Sequence, residues 1–105
     1  MAGHFSTITP EEAKALMERG GVEIIDVREP HEFSEGHVPG AVNVPLGEVT
    51  PGRILPEAPD TAKTVLVYCR SGRRSDTAGR ILAASGYEDV RNFLGVIQWP
   101  YELVR

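Results

Sequence analysis

Residues 64–86, TVLVYCRSGRRSDTAGRILAASG, decide the fold, because a strand pattern changes to a helix pattern with only a short connection between them. Residues 64–68 form a β-branched, apolar run that is typical of a strand covered on both faces. Residues 75–85 then place apolar side chains at helical spacing, and Gly86 is a stop signal. A strand that passes directly into a helix is the repeating unit of parallel α/β sheets.

The same alternation is found towards the N-terminus. Thr9 is a helix-capping residue, Pro10 suits the first helical position, and Glu12 completes a capping box, so a helix is predicted up to Arg19. A glycine pair ends it. The nearly continuous apolar run VEIIDV at residues 22–27 then predicts a second strand covered on both faces.

The remaining elements are short. They are a helical turn over 30–35, a strand over 41–44, a connecting loop over 45–62 with room for a short helix, a strand over 87–93, and a short helix over 94–99 that Pro100 ends. Strands that alternate with helices predict an α/β domain, a parallel sheet with helices on both faces. We expect residues 1–105 to form this single domain.

Composition excludes several classes of function. The 105 residues carry a formal net charge of -4 with a pI near 5.3, which disfavours a general nucleic-acid surface. No stretch approaches the roughly 18 apolar residues of a membrane span. We therefore expect a cytoplasmic monomer with neither nucleic-acid nor membrane partners.

The predicted topology places the one cysteine at the functional edge of the sheet. Ligands of parallel α/β sheets bind beyond the carboxyl ends of the strands. Cys69 ends one central strand, and Asp26 to Arg28 end another, so the two segments should meet. A single cysteine forms neither an internal disulfide nor a thiolate metal site, and the three histidines show no metal-ligand spacing. No metal or cofactor is expected.

The loop after the strand predicts a reactive thiol. The segment CRSGRR, residues 69–74, must curl tightly, and Gly72 is free to take left-handed dihedral angles. Its amides and the N-terminus of the next helix would form an anion cradle that lowers the pKa of Cys69. Arg70, Arg73 and Arg74 oppose the helix dipole unless an anion is bound. The alternative is that Cys69 is a small buried hydrophobic residue.

Three stretches resemble the rhodanese (thiosulfate sulfurtransferase) family in its single-domain form. They are ITPEEAKALM at 8–17, IIDVREPHEFSEGHVPGAVNVPL at 24–46 and VLVYCRSGRRSDTAGRILAASGYEDV at 65–90. The resemblance implies a rhodanese-like parallel sheet of about five strands with helices on both faces. It also implies a Cys69 persulfide, which takes a sulfane sulfur from a donor such as thiosulfate and passes it to an acceptor such as cyanide or a thiol.

By the same resemblance, the backbone amides of the loop hold the persulfide and its arginine side chains bind the donor, a small sulfur-containing anion. The residues are Arg70, Ser71, Gly72, Arg73 and Arg74. A sulfur-accepting protein is an alternative to a small-molecule acceptor. The chain departs from the family in NFLGVIQWPYE, where Leu94 stands at the position expected for the first glycine of a pair.

Two other functions compete with sulfur transfer. A cysteine phosphatase usually has His-Cys, five residues and then Arg, whereas here Tyr68 precedes Cys69 and the sixth residue after the cysteine is Ser75. The loop is one residue too short to surround a phosphoryl group. A non-catalytic binding module is the other alternative, but modules of that kind often lack the cysteine. Sulfur transfer is therefore favoured.

Five residues outside the loop have two interpretations each. Asp26 and Arg28 either brace the edge of the sheet or orient substrate, and bracing is favoured. His37 is either a general base or a ring bonded to the turn backbone, and the second is favoured. Trp99 and Tyr101 either anchor the last helix to the core or cover the site, and anchoring is favoured because aromatic rings bury large areas.

Overall fold

The computed structural model describes residues 2–105. The strands are β1 (His4–Thr7), β2 (Val22–Asp26), β3 (Val42–Asn43), β4 (Thr64–Cys69) and β5 (Asp89–Gly95). The helices are α1 (Pro10–Arg19), α2 (Pro30–Glu35) and α3 (Arg73–Ala84), and Leu46–Glu48 forms a single 3-10 turn. All pairings in the sheet are parallel, in the order β1-β5-β4-β2-β3. The predicted α/β fold is therefore confirmed.

The central strand β4 is apolar throughout because it is covered on both faces. Val65, Val67 and Cys69 belong to a core that includes residues of α3. Leu66 and Tyr68 point to the other face, where their core includes Ala13 of α1 and Trp99. The alternation of side chains along one strand thus divides the interior into two layers and places α1 and α3 on opposite faces of the sheet.

The start of α1 follows the predicted capping chemistry. The Glu12 amide donates to Thr9 Oγ1 at 3.0 Å, and the Thr9 amide donates to Glu12 Oε1 at 3.0 Å. Two of the free amides at the helix N-terminus are satisfied in this way. The helix ends at Arg19, before the glycine pair, as predicted.

Two features near the chain ends differ from the sequence analysis. The edge strand β1 was not predicted, because HFST has neither an apolar run nor a regular alternation; its register is set by pairing with β5. The helix predicted over 94–99 is wrong. There, β5 continues to Gly95, and a turn follows in which the Gln98 amide donates to the Gly95 carbonyl at 3.0 Å. Pairing of Gly95 with Cys69 in β4 overrides the local helical spacing.

Trp99 consequently anchors a turn rather than a helix. Its ring lies 5.5 Å from that of Phe93 in β5, and its Nε1 donates to the Glu102 carbonyl at 3.1 Å. Tyr101 packs edge-on against Trp99 and is 38% exposed. The C-terminal segment is held further by His37, whose backbone pairs with Val104. Within residues 2–105, no helix has the length and apolar character needed to cross a membrane.

Candidate active site

Cys69 is the last residue of β4 and is buried, with 1% of its surface exposed. Its neighbour in β5 is Gly95, and the pairing of the two strands is irregular between Val67 and Cys69. The amide of Gly72 donates to Cys69 Sγ at 3.1 Å, and Ser75 Oγ lies 3.5 Å from the same sulfur. The thiol therefore lies inside the turn that joins β4 to α3, at the carboxyl edge of the sheet.

The turn is tighter than the sequence predicted. Helix α3 begins at Arg73 rather than near Ser75, so only residues 70–72 separate it from β4. Gly72 directly precedes the helix and has a φ of 107°, which is the left-handed conformation that the sequence predicted. A Cβ atom there would come within 3.2 Å of Leu94 Cα. Glycine is thus needed at Gly72 both for its dihedral angles and for close contact with β5.

Hydrogen bonds of the turn favour the thiolate of Cys69. Burial by itself raises the pKa of this thiol. The hydroxyl and amide of Ser75 and the amides of Gly72 and Ser71 act in the opposite direction and outweigh burial, so the pKa is lowered. The direction agrees with the sequence prediction, and the largest lowering contribution comes from the Ser75 hydroxyl, followed by the amides of Ser75, Gly72 and Ser71.

The three arginines of the loop have different environments. Arg70 and Arg73 are exposed. Arg74 is half-buried and forms two hydrogen bonds to the carboxylate of Glu32 in α2, Nη1 to Oε1 at 2.8 Å and Nη2 to Oε2 at 3.0 Å. These bonds are the main reason that the pKa of Glu32 is lowered to about 2. Arg74 therefore joins α2 to the first turn of α3, directly after the loop. The sequence did not predict this contact.

Asp26 and Arg28 brace the neighbouring strand end, the interpretation that the sequence favoured. Arg28 Nη2 donates to Asp26 Oδ2 at 2.7 Å and to the Gly36 carbonyl at 2.7 Å. Both residues are buried. Because the Arg28 guanidinium joins the end of β2 to the residue that ends α2, the pair fixes the position of α2 beside the loop.

The His37 ring bonds to the backbone, as the sequence favoured, but its partner lies in α2 rather than in the turn at residues 38–40. Its Nδ1 lies 3.0 Å from the Phe33 carbonyl, and its ring stacks on that of Phe33 with 3.8 Å between centroids. These contacts hold the imidazole against α2.

Asn92 of β5 joins the site, although the sequence analysis did not select it. Its side chain is 2% exposed; Nδ2 donates to the Gly72 carbonyl at 3.1 Å, and Oδ1 lies 2.7 Å from Ser75 Oγ. The available signal was a polar residue two positions after Val90, on the same face of the strand as that buried residue. Its partners Gly72 and Ser75, 20 and 17 residues earlier in the chain, were not evident from spacing.

Leu94 is the only non-glycine residue within 2–105 that has a positive φ, at 79°. The departure from the family pattern at this position thus coincides with an unusual backbone conformation. Its amide donates to Asn92 Oδ1 at 3.0 Å, and its side chain lies against Gly72. A left-handed conformation costs a non-glycine residue roughly 1–2 kcal/mol, so the surrounding contacts must hold it in place.

A cleft of about 310 Å³ opens beside the loop. Its lining residues are Arg28, Glu32, Glu35, Gly36, Arg70, Val96 and Leu103. A larger cleft of about 460 Å³ lies between α1 and the C-terminal segment and contains no residue of the loop. The smaller cleft adjoins the loop, because Arg70 forms part of its wall.

Comparisons of the sequence and of the structure with known proteins agree on one family. Residues 9–99 match the family model of the rhodanese-like domain. The chain is 47% identical over 72 residues to thiosulfate sulfurtransferase PspE of Escherichia coli, covering 69% of this chain and 68% of that protein. It is 36% identical to thiosulfate sulfurtransferase GlpE of Pseudomonas syringae over 96% of both chains. A solved structure, a rhodanese with anions from E. coli, is 42% identical with a TM-score of 0.72, covering 80% of this chain and 98% of that one.

Proposed function

The chain belongs to the rhodanese-like domain family, and we propose that it is a thiosulfate sulfurtransferase whose single domain spans residues 1–105. The proposed reaction moves a sulfane sulfur from a donor such as thiosulfate to an acceptor such as cyanide or a thiol. Two relatives named thiosulfate sulfurtransferases support this activity. The intermediate is a persulfide on Cys69.

The observation that carries the proposal is the hydrogen bond from the Gly72 amide to Cys69 Sγ, 3.1 Å long. An amide aimed at a buried sulfur stabilises it as an anion, and the N-terminus of α3 adds a favourable dipole. The same groups would stabilise the negative charge of a persulfide, with the amides of residues 70–74 surrounding its outer sulfur. A neutral, purely structural cysteine does not need such a cradle.

The two half-reactions balance without an external oxidant or reductant. The Cys69 thiolate attacks the outer sulfur of thiosulfate and forms a new S–S bond, while the bond inside thiosulfate breaks and sulfite leaves with the electron pair. Cyanide or a thiolate then attacks the outer sulfur of the persulfide. The S–S bond breaks, and its electron pair returns to Cys69 as the thiolate.

Donor binding is assigned to the loop arginines. Arg70 and Arg73 are exposed beside the thiol, and their guanidinium groups suit the oxygens of a sulfur-containing anion. Arg74 was predicted to share this role. Because it already pairs with Glu32, we assign it mainly to holding the loop and α2 together. A sulfur-accepting protein remains an alternative acceptor for the same persulfide.

The test is the intact mass of the protein after incubation with thiosulfate. We expect a gain equal to one sulfur atom, which cyanide removes. The matched control is Cys69→Ala, and since Cys69 is the only cysteine in the chain, no other thiol can take up sulfur in its place. No gain in the parent protein, or an equal gain in Cys69→Ala, would refute the mechanism.

A further inference from the structure

The hydroxyl of Ser75 has more acceptors around it than protons to donate. Its oxygen lies 2.7 Å from Asn92 Oδ1, 3.3 Å from the Leu94 carbonyl and 3.5 Å from Cys69 Sγ. A serine hydroxyl has one proton and two lone pairs, so it can satisfy only one acceptor at a time. Ser75 is fully buried, and water therefore cannot supply a second donor from bulk solvent.

The orientation of the Asn92 amide is fixed by two independent contacts. The Leu94 amide donates at 3.0 Å to the oxygen of the side chain, and the nitrogen of the side chain donates at 3.1 Å to the Gly72 carbonyl. Reversing the amide would place a donor against a donor and an acceptor against an acceptor. The Asn92 atom nearest to Ser75 is therefore an acceptor, and at 2.7 Å it is the nearest of the three acceptors.

We propose that Asn92 is a positioning residue that sets the direction of the Ser75 hydroxyl, so that Ser75 accepts a hydrogen bond from the neutral Cys69 thiol and donates one to the anionic sulfur. In the neutral state, the Ser75 proton points to Asn92 Oδ1 and its lone pair faces the S–H group. When the thiol proton leaves to solvent, Ser75 keeps its own proton and turns it towards sulfur.

This rotation leaves no buried group without a partner. After it, Asn92 Oδ1 still accepts the Leu94 amide, and Cys69 Sγ accepts both the Gly72 amide and the Ser75 hydroxyl. A buried polar atom left unpaired would otherwise oppose ionisation. The inference deepens the proposed function, on which it rests for the use of the thiolate. It adds that Asn92 competes with sulfur for the Ser75 proton.

Charged groups around Cys69 also affect its ionisation. On the elements packed around it they are Arg70, Arg73 and Arg74 of the loop and helix start, Glu32 of α2, Asp26 and Arg28 at the end of β2, and Asp76 in the first turn of α3. The variants that follow leave all of these groups unchanged. These charges are the same in the parent, Ser75→Ala and Asn92→Leu, so a movement of the Cys69 titration among those proteins does not come from a changed charge.

The experiment is a titration of the thiolate by ultraviolet absorbance on persulfide-free protein, for the parent, Ser75→Ala, Asn92→Leu and the double variant. Ser75→Ala removes the donor, so the midpoint should rise by about one to two pH units. Asn92→Leu removes the competing acceptor at similar volume, so the midpoint should fall by about half a unit or more. In the Ser75→Ala background, Asn92→Leu should have no effect.

Opposite shifts of the Cys69 titration midpoint in the two single variants distinguish this mechanism from loosening of the loop. Loosening would shift the midpoint in the same direction in both variants. Shifts of equal sign, or the same Asn92→Leu shift in both backgrounds, would overturn the proposal.

If Asn92→Leu does not fold, Asn92→Asp is used instead. Its carboxylate holds the Ser75 proton more strongly than the amide oxygen does, so the Cys69 midpoint should rise. The rise should be smaller in the Ser75→Ala background, which has no serine proton to hold. Equal rises in both would overturn the proposal. The titration needs no turnover, so absence of sulfur transfer would refute only the proposed function.

Discussion

Arg74 and Glu32 form a two-pronged ion pair, with contacts of 2.8 and 3.0 Å, between residues 42 positions apart in the chain. The pair joins the first turn of α3 to α2. Since Arg28, which follows the end of β2, also reaches the end of α2, two arginines hold the same short helix. Helix α2 is thereby fixed as one wall of the cleft beside Arg70, while Arg70 and Arg73 stay exposed.

The pair predicts a pH-dependent contribution to stability. The pKa of Glu32 in the folded protein is about 2, below its ordinary value of 4.5. A lowered carboxyl pKa contributes stability that is fully present above 4.5 and is lost as the pH falls towards about 2. We expect Glu32→Gln to lose about 0.5–1 kcal/mol of unfolding free energy at neutral pH, because both side chains are partly exposed.

Urea denaturation at several pH values measures this difference. The matched control is Glu18→Gln, which breaks the more exposed pair with Lys14 and should change stability less. A loss for Glu32→Gln that stayed constant from neutral pH to pH values near 2 would contradict the assignment.

Replacing the thiol should separate chemistry from folding. Cys69→Ser is nearly isosteric, and the Gly72 amide can still donate to its oxygen, so we expect the fold to be retained and the melting temperature to fall by no more than about 8 °C. Sulfur transfer should be lost, because a serine hydroxyl forms no persulfide. Circular dichroism and a thiosulfate to cyanide assay measure the two effects. Transfer at the parental rate by the serine variant would exclude Cys69 as the sulfur carrier.

The cradle should also appear in the pH dependence of the reaction. Free cysteine has a pKa of about 8.5, and the pKa of Cys69 is lowered by the Ser75 and loop-amide hydrogen bonds that outweigh its burial. The rate of persulfide formation should therefore fall as the pH decreases through a midpoint below the free value. Stopped-flow measurement of sulfite release across pH tests this. A midpoint at or above that of free cysteine would argue against the cradle.

The sequence identified the elements whose signals are local, and it missed the contacts that join distant segments. Helix α1 was predicted because Thr9, Pro10 and Glu12 contain the capping information within four residues. The strand β1 and the end of β5 are fixed by pairing with other strands, so local spacing misassigned residues 94–99. The same limit applies to the site. The position and cradle of Cys69 follow from a contiguous loop, whereas Asn92 and Glu32 reach it through tertiary packing.

Leu94 offers a test of backbone strain beside the loop. At a φ of 79°, glycine should be better tolerated than alanine, so Leu94→Gly should be more stable than Leu94→Ala by about 1 kcal/mol. The matched control is Arg91 in the same strand, which has no positive φ; there alanine should be the more stable of the two. Urea denaturation of the four variants gives both differences. Greater stability of alanine at Leu94 would show that this residue is not held in a left-handed conformation.

Loop geometry rather than charge should select sulfur over phosphate. Only residues 70–72 separate β4 from α3. We expect a turn this short to admit a sulfur atom but to crowd a phosphoryl group with its equatorial oxygens. The exposed Arg70 and Arg73 would attract either anion, so the test must vary the loop at constant charge. We would insert one glycine after Gly72 and assay both forms for sulfur transfer from thiosulfate and for aryl-phosphate hydrolysis.

The parent protein should transfer sulfur and show negligible phosphatase activity. The insertion should lose transfer, because displacing Gly72 removes the 3.1 Å hydrogen bond of its amide to the sulfur. A loss of about 1.5–3 kcal/mol, typical of a hydrogen bond to a charged group, corresponds to a rate reduced by roughly tenfold to a hundredfold. Efficient phosphate hydrolysis by the parent would overturn the assignment and favour the phosphatase. Unchanged transfer by the insertion variant would instead show that loop length does not control the reaction.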